Sequence, residues 1–205
     1  EVLSRHLGAR FVIEEAEVYG LANATPGTVD DEEVWLIDPL DGTTSFVHGF
    51  PCYSVSIALL RSGVPVAGAV YNIPAEELFW AGQGLGAWLE DERIACGART
   101  VLSESLLVTG FPYDRTTTLD RQLDVLGRFL RAPVHGIRRD GSAAIDCCHV
   151  ACGRADGFWE YGLQPWDSAA GVVILRESGA AVTGIDGTAW TPAAAAVRSS
   201  VPRLP

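Results

Sequence analysis

The sequence predicts a mixed α and β fold, and three observations carry that expectation. Short apolar runs pair across turn residues as hairpins, two stretches are apolar almost all round and stop at glycine, and one leucine series recurs at helical spacing. No internal repeat, low-complexity tract or linker divides the chain, so residues 1–205 read as one domain.

Taken in order, residues 10–15 (Arg-Phe-Val-Ile-Glu-Glu) form a short strand ending in two acids, and a polar, turn-rich stretch covers 20–33. Residues 34–38 are an apolar strand that Pro39, which lacks a ladder donor, is expected to stop. Residues 53–61 and 64–72 flank Ser62-Gly63 as one hairpin, and 77–80 and 86–89 flank Gly82-Gln83-Gly84 as a second. Leu119, Leu123, Leu126 and Leu130 mark the apolar face of an amphipathic helix, with Thr118 as its cap. Residues 142–152, ending at Gly153, and 167–178, ending at Gly179, read as buried helices.

Charge narrows the function. With 15 Lys+Arg against 26 Asp+Glu, the net charge is −11. That balance argues against binding a nucleic-acid backbone or an anionic membrane surface. No apolar run approaches the ~18 residues of a membrane span. The five cysteines are odd in number and lack CxxC spacing, which reads as reduced thiols in an intracellular protein. The sequon at Asn23 then reads as chance. The chain has no Met, so residue 1 is expected to be a processing site or a boundary, and no signal peptide is visible.

The most informative segment is Asp38-Pro39-Leu40-Asp41-Gly42-Thr43-Thr44. A strand delivers Asp38 to its end, and a tight turn is expected to bring Asp41 back beside it. Gly42 permits close backbone approach to a ligand, and a helix starting there would offer free N–H groups to an anion. Two carboxylates about 4 Å apart repel by about 4 kcal/mol at an effective dielectric near 20, so the pair calls for a cation. Oxygen donors favour a hard ion, Mg²⁺ before Zn²⁺. Carboxylates beside an amide-lined anion seat point to metal-assisted phosphate chemistry. The bland alternative is an Asp-rich turn that caps a helix.

Continued through Ser45-Phe-Val-His-Gly-Phe-Pro-Cys-Tyr-Ser-Val-Ser-Ile-Ala-Leu59, this segment resembles the first signature of the inositol monophosphatase family. Trp166-Asp167-Ser168-Ala169-Ala170-Gly171 resembles the second, and the likeness runs from about Phe11 to Trp190. The resemblance implies a layered α-β-α-β-α sandwich of the inositol monophosphatase and fructose-1,6-bisphosphatase type, with its N-terminal helices missing. The first sheet and metal motif would fall in about 1–98, the second sheet and substrate side in about 99–205. It further implies Mg²⁺-dependent, lithium-sensitive hydrolysis of a small phosphomonoester, first a myo-inositol monophosphate, by in-line attack of a metal-activated water. Glu14, Asp38, Asp41 and Asp167, with the Leu40 carbonyl, would hold two or three Mg²⁺ ions. Glu14 and Thr43 would be catalytic, Thr43 helping to orient the water. The Gly42 and Thr43 amides would hold phosphate, while Glu160, Asp167 and backbone at Gly141, Ser142 and Ala143 would meet substrate hydroxyls. A homodimer in the cytoplasm or plastid stroma completes the implied picture.

Departures from the family pattern keep alternatives open. Ile13 stands where the family has Gly before its two acids, Ser45 where Asn is frequent, and an upstream Asp that pairs with the Thr at position 43 has no counterpart. Histidinol phosphate, sugar bisphosphates and a non-catalytic structural subunit are the other readings. Elsewhere, Gly82-Gln83-Gly84-Leu85-Gly86 lacks the following helix of a dinucleotide loop. Cys148 and Cys152, with His149 between them, are better read as buried thiols than as a metal site. His48 is expected to be structural, and Trp166 to pack near the site.

Overall fold

The computed structural model describes residues 10–14, 25 and 26, 32–112, 118–194, 196–202 and 204. Most of the turn-rich stretch, Glu15 and Asn23 of the sequon lie outside the described residues. An eight-stranded sheet has the order β2-β1-β3-β4-β5-β6-β7-β8. Its strands are β1 (Arg10–Ile13), β2 (Thr25–Pro26), β3 (Glu33–Asp41), β4 (Ser54–Arg61), β5 (Val64–Asn72), β6 (Glu77–Gly82), β7 (Gly86–Leu89) and β8 (Glu92–Ile94). β1 runs parallel to β2 and β3, and from β3 onward neighbours are antiparallel. A five-stranded sheet has the order β10-β9-β11-β13-β12, from β9 (Leu106–Thr109), β10 (Gly136–Arg138), β11 (Gly157–Tyr161), β12 (Ala181–Thr183) and β13 (Ala196–Ser200).

Helix α1 (Thr43–Val47) is a single short turn after β3, and α2 is Leu119–Arg131. α3 (Ala143–Ala151) and α4 (Pro165–Glu177) pack on each other, α4 against the large sheet and α3 against both sheets. Both helices are buried almost all round, as their uninterrupted apolar composition requires. α2 covers the far face of the small sheet, so the described layers run sheet, helix pair, sheet, helix. No helix among the described residues is long and apolar enough to cross a membrane.

The two expected hairpins form. Ser62 (φ 48°) and Gly63 (φ 74°) are both left-handed, the turn geometry that matches strand twist. Three local expectations change. Pro39 does not end its strand; β3 continues to Asp41 through a register shift against β4 between Asp38 and Asp41. The leucine series does not mark the buried face of α2. Leu123 and Leu130 are exposed, whereas Val125, Leu126 and Phe129 pack on Leu107, Trp159 and Tyr161 of the small sheet, and the buried Gln122 donates to Gly110 O. Thr118 sits at the cap position of α2 without a side-chain capping bond, because its backbone is helical rather than extended.

A carboxylate cavity between the two sheets

Strand periodicity buries the first acid. Along β3, Val34, Leu36 and Asp38 alternate onto the face that packs against the helix pair, and Asp38 is only 2% exposed. Asp41, three residues on, would face away in a regular strand. The register shift at Pro39-Leu40 instead leaves both acids buried and lining one cavity. The Leu40 N–H donates to Asp38 Oδ1 (2.9 Å), and the Thr43 hydroxyl donates to the Leu40 carbonyl (3.0 Å), so the turn is held by its own side chains.

Other elements bring the remaining acids. β1 pairs in parallel with β3, and the Glu14 N–H donates to Ile37 O (3.0 Å), which seats Glu14 beside Asp38. Asp167 is the third residue of α4, which starts at Pro165, two residues before its expected start. Its carboxylate accepts the Gln164 N–H (2.7 Å) in a reciprocal cap. Oxygens of Glu14, Asp38 and Asp167 lie within 4.8 Å of one another, a spacing that one cation could bridge. Asp41 stands apart from this trio. Its Oδ2 accepts from Ser142 Oγ (2.6 Å) and the Ala144 N–H (2.9 Å) at the start of α3.

The cavity encloses about 340 Å³. Glu14, Asp38, Asp41 and Asp167 meet Leu40, Gly42 and Thr43 on one side, and Gly141, Ala143 and Glu160 on the other. Ser142 is fully buried, and its side chain serves Asp41 instead of lining the space. Gly42 joins the two sides. Its φ is +92°, and a Cβ there would fall 2.7 Å from Cys52 O and 3.1 Å from Gly141 O. Glu160 shares a face of β11 with core residue Phe158, and Gly110 leaves it room: a Cβ at Gly110 would overlap the carboxylate.

Electrostatics set these acids apart from surface carboxylates. Burial, then the charges of Asp41 and Glu14, pushes Asp38 up to about 9. Burial raises Asp41 to about 6 against the donors from Ser142 and Ala144. Burial, with Asp41 and Asp167 nearby, lifts Glu160 to about 8, and burial lifts Asp167 to about 7. Carboxylates pressed together in a low-dielectric space retain protons unless a cation shares it.

Sequence reasoning did not find Arg139, Phe111 and Pro112, which also line the cavity. Arg139 lies 5.9 Å from the Phe111 ring centroid and lowers Glu160 against burial. Its position one residue before Asp140-Gly141 was the available signal, a cation next to a tight glycine turn. His48 is exposed at the end of α1, and Trp166 is half-buried with its carbonyl accepting from Ser56 Oγ (3.1 Å). All five cysteines are free thiols. His149 does not group with Cys148 and Cys152. It falls with Asp140 and Asp146, donor atoms again within 4.8 Å.

The model of the inositol monophosphatase family matches residues 4–203. An inositol-1-monophosphatase from a Synechocystis species is 51% identical over 160 residues, 78% of this chain and 55% of the relative. A putative Nus factor SuhB from Neisseria meningitidis serogroup B is 43% identical over 178 residues, 87% of this chain and 65% of the relative. The chain thus spans about 55 to 65% of the length of these curated relatives. The solved inositol monophosphatase from Anabaena (Nostoc) sp. superposes with a TM-score of 0.89 at 41% identity, covering 98% of this chain and 77% of that one.

Proposed function

From the premise that this chain belongs to the inositol monophosphatase family, we propose that it is a Mg²⁺-dependent phosphomonoesterase acting on a small polyol phosphate, first a myo-inositol monophosphate. The observation that carries the reading is the Glu14–Asp38–Asp167 trio at one side of a cavity walled opposite by Glu160. The donor set fits the ion: oxygens alone, from three elements, suit a hard divalent cation. Glu14, Asp38, Asp41, Asp167 and the Leu40 carbonyl would hold two or three ions. When bound, Mg²⁺ would neutralise phosphate charge and make water more acidic.

The chain's own residues supply the rest. Four carboxylates carry −4 when ionised, which repels a phosphate dianion until two divalent ions bring the sum to zero. Glu14 and the Thr43 hydroxyl would orient water for in-line attack. The Gly42 and Thr43 amides would hold phosphate oxygens. Glu160, raised to about 8, is protonated at neutral pH and can donate to a substrate hydroxyl as well as accept from one. Asp167, Gly141 and Ala143 border the same space, and Ser142 would act through Asp41.

Phosphate release from myo-inositol 1-phosphate, histidinol phosphate and a sugar bisphosphate, with Mg²⁺ and with EDTA, tests this. Release should need Mg²⁺ and vanish in Asp38→Asn. Folded protein that releases nothing from any ester would overturn the enzyme reading. It would favour the second reading, a non-catalytic subunit, which rests on the 43% identity to a relative named for a Nus factor. Lithium inhibition and a homodimer belong to the first reading, and inhibition kinetics and sedimentation velocity check them.

A further inference from the structure

A second group of metal-type donors sits outside the trio. Asp140 lies in the turn before α3, and Asp146 and His149, three residues apart, share one side of α3. One ligand atom from each falls within 4.8 Å of the other two. Asp146 is 1% exposed, and neither of its carboxylate oxygens has a hydrogen-bond partner among the described residues. A buried, unpartnered carboxylate is costly, and native proteins leave few such groups without a donor or an ion. Asp140 and His149 are half-buried, which leaves a route from solvent to the buried oxygens. Arg139 is the nearby cation, yet it makes no hydrogen bond to Asp146, whose other charged neighbours, Glu160, Asp140 and Asp41, are acids.

We propose that Asp140, Asp146 and His149 form a binding site for a divalent transition-metal ion of the zinc class. The imidazole decides the class. Mg²⁺ and Ca²⁺ prefer oxygen alone, whereas one nitrogen and two carboxylate oxygens suit Zn²⁺, Co²⁺ or Mn²⁺. Donors on a single such ion stand about 3 to 4 Å apart, so closing the group needs side-chain rotation only. The thiols of Cys148 and Cys152 are not part of the site. The site does not depend on the phosphatase reading, and an ion there would tie α3 to the turn at Gly141.

The test uses the full chain with Asp38→Asn and Asp167→Asn, which disable the trio. Zn²⁺ should bind this variant at one equivalent per chain. Adding His149→Ala or Asp146→Asn should weaken binding at least tenfold, with far-UV circular dichroism unchanged. In the unsubstituted chain saturated with Mg²⁺, Zn²⁺ should shift the His149 imidazole ¹⁵N resonances, and Mg²⁺ alone should not. Failure of the trio variant to bind Zn²⁺, a loss below tenfold, or a His149 resonance unmoved by Zn²⁺ would overturn the site. None of these outcomes bears on phosphate release.

Discussion

Replacing Asp38 by Asn should stabilise the metal-free protein and give no such gain when Mg²⁺ is bound. The charges of Asp41 and Glu14 act on Asp38, which is 2% exposed, and Glu14 and Asp167 come within 4.8 Å of it. One ionised pair at 4.8 Å repels by about 3.5 kcal/mol at an effective dielectric of 20. Burial and that repulsion together make folded Asp38 hold its proton, whereas the unfolded chain releases it; asparagine removes this penalty and keeps an oxygen for the Leu40 N–H. The sign with pH follows from the raised pKa. The stability that protonated Asp38 contributes is complete below its ordinary 3.8 and is lost as pH rises through about 9. At pH 8 in EDTA, Asp38→Asn should therefore gain about 2 to 3 kcal/mol, or about 5 to 10 °C in Tm for a chain of this size. At pH 4 the two proteins should melt together. In saturating Mg²⁺ the order should reverse, because the variant has lost a ligand and the linkage that comes with it. Calorimetry at both pH values, with EDTA and with Mg²⁺, reads all four conditions. A variant less stable than the parent at pH 8 in EDTA would refute the claim that buried charge is what Asp38 contributes.

Gly42→Ala should cost about 2 to 3 kcal/mol, since a left-handed residue gains a Cβ that meets Cys52 O at 2.7 Å; urea unfolding measures it, and phosphate release should fall as the Gly141 turn is displaced. Asp156 is fully buried, accepts the Leu106 N–H at 2.9 Å and pairs with Arg99 at 3.0 Å. Asp156→Ala should lower stability by about 3 kcal/mol through an unsatisfied amide and a lost pair, read as a shifted denaturation midpoint.

What the sequence made legible follows the range of the interactions. Hairpins β4–β5 and β6–β7 are local, their turn residues adjacent to their strands, and both were readable. The strands of the small sheet were not; only the family resemblance implied a second sheet. Its strands have three to five residues, and β9 pairs in parallel with β11 across 50 positions, as the bond from Thr109 Oγ1 to Trp159 O shows. Such segments are too short for a period, and their partners are invisible locally. The leucine series misled for a different reason. α2 covers an aromatic surface at Trp159 and Tyr161, so Phe129 and Val125 took the inward positions and two leucines stayed outside.

The candidate site divides along the same line. Asp38 and Asp41 were readable from one heptapeptide, whereas Glu14, Glu160 and Asp167 came only through the family resemblance. Even within that heptapeptide, the physical role of Pro39 was misjudged: it marks the irregularity that turns both acids inward, and the strand goes on. Arg139 and Phe111 reach the cavity through tertiary packing that no local pattern encodes.

The acids occupy positions that the folding pattern otherwise reserves for apolar side chains. On β3 the inward row reads Val34, Leu36, Asp38, and on β11 it reads Phe158, Glu160. Asp167 lies at the exposed end of a helix whose next eight residues are buried. In each case the carboxylate comes where the apolar row gives out, at the C-terminal end of a strand or the first turn of a helix. Those ends converge between the two sheets, so the same packing that builds the core carries the charges to one place. A core position given to a carboxylate forfeits the ~2 kcal/mol that burying a Val or Leu would contribute. A cation bound in the cavity would offset that loss. If, as proposed, Mg²⁺ takes that place, its binding should raise stability most at alkaline pH, where the free carboxylates are least tolerated, because the seat is built from core positions.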